Sequence, residues 1–284
     1  MDATVVLVGI TLFAAAVNGG LGYGFSSLTM PVALVFYTNR LLNPAMVLIE
    51  VFVNIYVLIM NRQSLPSVWK KVRPVVIGLP VGVLLGGYLL SSIQPGWIKL
   101  FTYLALLPLI LIQAAGVRRP IRNQEGVSLP LGMGIGFLYA VTTISGPPLA
   151  LFFNNQGLVK KDFRAALGVI RTAESSFTAV VYAYLGLYST ETVSILQTIL
   201  PSVLVGIPIG VFLLQRLNAE TFRRICMTFD VWVVGFGLSR VLMELRIIES
   251  ILAYGVMGSA LVLDGYLLYV YFTRQRLTAA SLKA

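Results

Sequence analysis

The chain has 284 residues, of which 57% are hydrophobic and 11% charged, and it carries a formal net charge of +10. Because soluble domains are about 25% charged, this composition is typical of a polytopic membrane protein, and the positive charge then indicates basic loops facing anionic lipid rather than a nucleic-acid partner. The absence of histidine and the single cysteine, Cys226, exclude histidine-based catalysis, an internal disulfide and a thiolate metal cluster, so no cofactor, metal ligand or catalytic residue is predicted.

Apolar runs follow one another along the chain, at 3–17, 25–37, 44–60, 72–93, 97–116, 128–143, 146–154, 163–187, 193–214, 222–243 and 249–272. Most are long enough to span a bilayer as helices, which takes about 20 residues. The first two runs and the pair 128–143 and 146–154 are shorter, at about 14–24 Å each as helix. The breaks inside these two pairs, at 18–24 and 142–148, contain the glycine and proline residues that end helices and free backbone groups.

The basic residues decide between two topologies of the broken pairs. If each pair folds back as a hairpin, entering and leaving on one side, sixteen basic side chains face the cytoplasm and three face outward. If each pair crosses once, two basic clusters face outward, against the positive-inside rule. We therefore predict two hairpins, a cytoplasmic C-terminus and an N-terminus outside. The inward-facing residues are Arg62, Lys70, Lys71, Arg73, Arg118, Arg119, Arg122, Lys160, Lys161, Arg164, Arg216, Arg223, Arg224, Arg274, Arg276 and Lys283.

The hairpin topology gives the chain two halves of opposite orientation. Each half is a broken, re-entrant helical hairpin followed by three transmembrane helices, and one extra C-terminal helix lies outside the repeat. We therefore predict an all-α polytopic membrane protein with two inverted-topology repeats. The predicted units are 1–116 (first repeat), 117–127 (cytoplasmic linker), 128–243 (second repeat) and 244–284 (extra helix and cytoplasmic tail).

Sequence echoes support the two halves. The segment 78–83 resembles 206–211 in the order of its glycines and proline. When Ala45 is set against Ala166, Glu50 falls opposite Arg171 and Asn54 falls opposite Ser175.

Two motifs resemble the signatures of a known family. The glycine-rich stretch 19–24 followed by Pro31 resembles the first signature of the TauE/SafE sulfite exporters, also called the 4-toluene sulfonate uptake permease family. The segment 145–165 is similar to the second signature. Leu21 and Tyr23 interrupt the glycines of the commoner first motif, which leaves room for a different substrate. The resemblance covers roughly 5–272 and implies export or uptake of sulfite, sulfonates or related small organosulfur anions across the bacterial plasma (inner) membrane.

The two breaks are the first candidate site. Irregular backbone at membrane depth lines a cavity or is buried in protein, and the helix ends beside it offer N–H donors and partial positive charge to an oxyanion. The alternative is that the glycines only permit close helix packing. The candidate substrate-binding residues here are Asn18, Gly19, Gly20, Tyr23, Ser26, Ser27, Thr142, Thr143, Ser145, Gly146 and Pro147.

Arg171 supplies the cation of this site. It lies inside the apolar run 163–187, where an ionised side chain costs about 2.5–3.5 kcal/mol, and its planar fork suits the oxygens of sulfite or a sulfonate. The alternative is a structural ion pair with Glu174 or Glu50. A buried carboxylate repels an anion, so Glu50 is interpreted as a coupling or gating residue, with a plain salt bridge as the alternative. The candidate coupling residues are Glu50, Asn54, Glu174 and Ser175.

These features predict a secondary transporter of small sulfur-containing anions, proton-coupled or uniporting, that acts as an exporter and holds its substrate at the midplane. The alternatives are an anion channel and an uptake permease for another small organic anion. The chain has no Gly-x-x-x-x-Gly-Lys-Ser/Thr loop for ATP and no histidine or paired aspartates for an intramembrane enzyme. The expected partners are a small anion and membrane lipid, and a homodimer stays open.

Overall fold

A computed structural model describes residues 2–21, 24–114, 124–154, 158, 160–214 and 219–281. Every regular element in these ranges is helical, in agreement with the predicted all-α class. The helices are α1 (Ala3–Leu21), α2 (Phe25–Ala33), α3 (Asn39–Met60), α4 (Leu65–Ser92), α5 (Pro95–Ala114), α6 (Gln124–Thr142), α7 (Gly146–Asn154), α8 (Lys160–Tyr184), α9 (Thr190–Leu214), α10 (Ala219–Glu244) and α11 (Tyr254–Ser281). Short 3₁₀ turns at Arg62–Ser64 and Ile251–Ala253 precede α4 and α11.

The first break lies later than predicted. α1 has 19 residues and continues through Gly19 and Gly20 to Leu21, so the prediction of unwound backbone from Asn18 onward was wrong. In a bilayer a helix satisfies every peptide group within itself, which favours continuing it through glycine. The break falls between Leu21 and Phe25, and Gly24 there has φ of +107°, a conformation that glycine adopts without strain. Tyr23 lies outside the described residues.

The second break lies between Thr142 and Gly146. Thr143 has φ of +58°, and α7 then runs over Gly146–Asn154, the predicted bounds. Pro147 stands in the first turn of α7, where a missing N–H costs nothing because that group has no partner within the helix. α6 begins at Gln124, so the last four residues of the predicted linker 117–127 are helical and its earlier part lies outside the described ranges.

Six helices of the described part of the chain are long and apolar enough to cross a membrane. α1 is one of them, so the expectation that its run is too short to span was wrong. Neither α8 nor α10 is among the six. The six segments are Ala3–Gly20, Asn39–Met60, Arg62–Ser92, Pro95–Ile112, Thr190–Phe212 and Ile251–Tyr271.

The first arm of each hairpin packs against a helix of the other half. α6 lies on α4, and α1 lies on α9. Gly82 of α4 faces the backbone of Met133 and Phe137, and Gly206 of α9 faces the backbone of Leu12 and Ala16. Each glycine lies where an added Cβ would meet the neighbouring backbone, which is how small residues bring membrane helices together.

These contacts also correct the echo seen in the sequence. Leu12 and Met133 are 121 residues apart, the same shift that carries Glu50 onto Arg171. The counterpart of Gly206 is therefore Gly82 rather than Gly78, one helical turn beyond the alignment of 78–83 with 206–211.

α3 and α8 cross the centre of the molecule in opposite directions. Leu58, late in α3, lies against Gly168, while Glu50, earlier in α3, bonds to Arg171. The two helices that the sequence predicts to be equivalent therefore pack antiparallel. The inverted orientation of the two halves across a membrane stays a prediction, as do the boundaries of the repeats.

We expect Gly82→Ala to destabilise the protein by about 1–3 kcal/mol, because its methyl group would meet the backbone oxygen of Met133 in a close-packed interface. The matched control is Gly134→Ala in the facing helix α6, where nothing lies within 4 Å of the added carbon. Thermal unfolding of both variants in detergent measures the difference. Equal unfolding temperatures would show that Gly82 is not needed for the α4–α6 contact.

A single cysteine introduced at Lys161, at the start of α8, should react with an impermeant reagent only from the cytoplasmic side, and one at Ser189, just after α8, only from outside. Both positions are exposed, and α8 is about 37 Å long. The experiment uses intact and opened cells in a Cys226→Ser background. Labelling of both cysteines from one side, or of Lys161 from outside and Ser189 from the cytoplasm, would contradict the hairpin topology.

Candidate functional site

Arg171 lies at the centre of a buried ion cluster. Its side chain is 5% exposed, and its Nη2 donates to Glu50 Oε1 at 2.8 Å. Its Nε lies 3.9 Å from Glu174 Oε1, and both carboxylates are fully buried. One guanidinium therefore stands between two carboxylates, so both of the ion pairs that the sequence left open are present.

Glu50 joins the cluster to both hairpins. Ser26, in the first turn of α2 just after the first break, donates its hydroxyl to Glu50 Oε1 at 2.6 Å. Tyr139, in the last turn of α6 just before the second break, donates to Glu50 Oε2 at 2.6 Å. Both oxygens of Glu50 are thus engaged by donors, which is the arrangement that keeps a buried carboxylate satisfied.

Glu174 connects the same cluster to the second break. Ser145, the last residue before α7, donates its hydroxyl to Glu174 Oε1. Glu174 Oε2 and the Nε and Nη1 groups of Arg171 have no hydrogen-bond partner among the described residues. Buried polar groups are nearly always paired, so these three atoms leave bonding capacity for another polar group.

Two further predicted residues hold the backbone of Arg171. Asn54 Nδ2 donates to the carbonyl of Arg171 at 3.2 Å, and Ser175 Oγ donates to the same carbonyl at 2.7 Å. The backbone carbonyl of Arg171 is therefore held by one residue of α3 and one of α8. The predicted residues Glu50, Asn54, Glu174 and Ser175 all lie within one group around it.

The remaining polar residues of the breaks bond to local backbone. Ser27 donates to the carbonyl of Gly24 at 3.2 Å, and Thr142 donates to that of Leu138 at 2.7 Å. Thr143 donates to the carbonyl of Thr142 at 2.7 Å. These hydroxyls shape the breaks, whereas Ser26 and Ser145 bond to the acids. Gly146 and Pro147 are buried in the first turn of α7.

Asn18, Gly19 and Gly20 form no described hydrogen bond to Arg171, Glu50 or Glu174. They line a cavity of about 240 Å³ together with Arg164, Asn61 and residues of α9. Arg164 Nη2 donates to the carbonyl of Gly20 at 2.7 Å. The lining of this cavity does not include Arg171, Glu50 or Glu174.

Sequence reasoning missed two residues, Tyr139 and Arg164. Tyr139 is a hydroxyl-bearing residue one turn before a predicted break, which is a signal that could have identified it. Arg164 belongs to the second motif, but its place near Lys160 and Lys161 made it one member of a cytoplasmic cluster.

The fold and this cluster define an all-helical membrane protein in which two broken helix pairs meet at a buried ion pair. The family model for the sulfite exporter TauE/SafE matches residues 7–236. The chain therefore belongs to the TauE/SafE family and is an integral membrane protein of a transporter family, as the resemblance predicted. No curated protein and no solved structure matches the chain.

We expect Arg171→Gln to destabilise the protein by about 3–5 kcal/mol, because two buried carboxylates lose their cation. The loss in free energy of unfolding of the double variant Glu50→Gln/Arg171→Gln should be smaller than the sum of the losses of Glu50→Gln and Arg171→Gln, by about 0.5–3 kcal/mol. Thermal unfolding in detergent measures all three. Lys70→Gln, which removes an exposed cation, is the control. Strict additivity would contradict the pairing of Glu50 with Arg171.

Proposed function

We propose that this protein is a secondary carrier that moves sulfite, or a related small sulfur oxyanion such as an organosulfonate, outward across the bacterial plasma membrane. The family supplies the class of substrate. The observation that carries the mechanism is that the residues flanking both breaks bond to carboxylates that share one buried guanidinium. A solute that binds this guanidinium must therefore affect both hairpins.

Arg171 is the group that would hold the anion. Its Nε and Nη1 groups lack acceptors among the described residues, and a guanidinium can offer two parallel N–H bonds to the oxygens of one anion. The nine-residue helices α2 and α7 begin beside the same cluster, and their N-terminal ends favour negative charge. Oxygen atoms of a sulfite or sulfonate group match this set of donors.

The charge of the cluster links the anion to a proton. With Glu50, Glu174 and Arg171 all ionised the cluster has a net charge of −1, which opposes entry of an anion. One proton taken up by a carboxylate makes the cluster neutral. Glu174 Oε2 has no donor in the described part of the chain, so a proton can occupy it without displacing one. We assign the coupling proton to Glu174, and the anchoring of Arg171 to Glu50, Asn54 and Ser175.

The cluster also suggests how access would alternate between the two sides. Arg171 is buried, so the conformation described is closed to solvent. An anion that replaces Glu174 at the guanidinium would let this acid move, and the hydrogen bond from Ser145 to Glu174 at the second break would then break. At the first break, Ser26 stays bonded to Glu50, which keeps holding Arg171. Opening one hairpin while the other stays bonded would expose the site to one side at a time.

Glu174→Gln should transport sulfite at a rate that an imposed pH gradient no longer changes, because the variant removes the proposed proton carrier. The measurement is sulfite flux into proteoliposomes with and without the gradient. Glu249→Gln, which removes an exposed loop carboxylate, should respond to the gradient as the wild type does. If sulfite flux through Glu174→Gln still responds to the pH gradient as in the wild type, Glu174 does not carry the coupling proton.

Arg171→Lys should lower sulfite transport about tenfold or more, because lysine keeps the charge but cannot form two parallel hydrogen bonds. Flux in proteoliposomes measures the loss, and an unchanged elution profile and unfolding temperature confirm folding. If sulfite flux in this variant equals that of the wild type, Arg171 does not bind the substrate through its guanidinium. A single-channel current in planar bilayers would show that the protein is an anion channel and not a carrier.

A further inference from the structure

Besides the cluster at Arg171, the structure has a cavity of about 240 Å³ at the C-terminal ends of α1 and α3, which we call the Arg164 cavity. Its lining includes Asn18, Gly20, Asn61 and Arg164, with Tyr56 and Ile207 as apolar wall. The cavity combines polar side chains with space for a small anion.

Arg164 differs from Arg171 in its charge balance. Arg171 is shared by two buried carboxylates. Arg164 is only partly buried, and across the part of the chain that the structure describes no carboxylate oxygen lies within 4.0 Å of it. Its Nη2 bonds instead to the neutral carbonyl of Gly20. Among the described residues, Arg164 therefore has no acid that balances its charge, and it is the more accessible of the two cations.

A structural role alone does not account for that charge. The shift of 121 residues carries Asn43 onto Arg164 and Gly20 onto Val141. Asn43 Nδ2 donates to the carbonyl of Val141 at 2.6 Å, which is the same contact in the other half. A neutral amide is thus sufficient to hold the end of a hairpin arm. The guanidinium at 164 adds a charge that this bond does not need.

Asn18 adds a second polar group to the same cavity. It is 2% exposed, and its Oδ1 accepts no hydrogen bond from any described residue. An asparagine amide also carries an NH₂ group, which can donate to an anion. Asn18 and Arg164 both line the cavity.

At the opposite ends of α1 and α9, the lining of a second cavity contains an acid instead of a base. α1 and α9 pack parallel, and a cavity of about 260 Å³ lies between their N-terminal ends, lined by Thr4, Thr198 and Glu191 among others. An anion is attracted at the end that carries Arg164 and repelled at the end that carries Glu191. Arg164 and Arg171 are seven residues apart on α8, which places them on one helix face at a distance of about 10 Å along the axis.

We propose that the Arg164 cavity is a loading site for the transported oxyanion, from which the anion passes along α8 to Arg171. This inference rests on the proposed function and adds the side from which the substrate enters. It predicts that Arg164 matters for anion supplied at its own end of the molecule and little for anion supplied at the end of Glu191.

The test measures the concentration of radiolabelled sulfite that half-saturates transport in inside-out and right-side-out membrane vesicles. Arg164→Gln keeps an amide donor for Gly20 and removes the charge. We expect about a tenfold increase in that concentration when sulfite is on the Arg164 side, and less than a twofold change from the other side. Arg164→Lys, which keeps the charge, should recover most of the loss.

The control is Lys161→Gln, which removes one exposed positive charge from the same helix and should change neither value more than twofold. The inference is overturned if Arg164→Gln matches this control, if its effect is equal from both sides, or if Arg164→Lys recovers nothing. In each of these cases the proposed function stands as long as sulfite flux in the Arg171→Lys variant is lower than in the wild type. Wild-type vesicles that transport no sulfite would overturn both proposals.

Discussion

The architecture depends on a guanidinium that is buried between two carboxylates. An isolated charge at this depth is expensive, and the pairing of Arg171 with Glu50 and Glu174 offsets that cost. The positive and negative charges of the cluster do not balance, because two carboxylates share one guanidinium. The hydrogen bonds from Ser26, Tyr139 and Ser145 to these acids therefore join both hairpins to a cluster whose charges do not cancel.

The halves are interlocked as well as paired at their centre. The first arm of each hairpin packs on a helix of the other half, with glycine against backbone at Gly82 and Gly206. Tight contacts of this kind do not deform gradually. Beside the two breaks, the side chains of Ser26 and Ser145 connect the hairpins to the cluster. Rigid helix pairs joined by short breaks at an ion cluster suit a molecule that has two discrete arrangements.

Much of the fold could be predicted from local sequence. Glycine and proline predicted both broken pairs, and α7 has the predicted bounds. Charge in an apolar run predicted Arg171 and Glu50, and the alignment of the halves placed them opposite each other. The extent of α1 was predicted wrongly, because the cost of glycine in a helix of a soluble protein is a poor guide where only a helix satisfies the backbone.

Composition and periodicity act over neighbouring positions, so the chain alone was enough to predict the membrane class, the two broken helix pairs and the residues whose charge needs a partner. The partner of each charge could be read only from the folded molecule. Tyr139 reaches Glu50 across 89 positions of the chain and Arg164 reaches Gly20 across 144, and no local pattern contains those distances. The same is true of the separation of the Arg164 cavity from the cluster at Arg171, since both are formed where helices of the two halves meet.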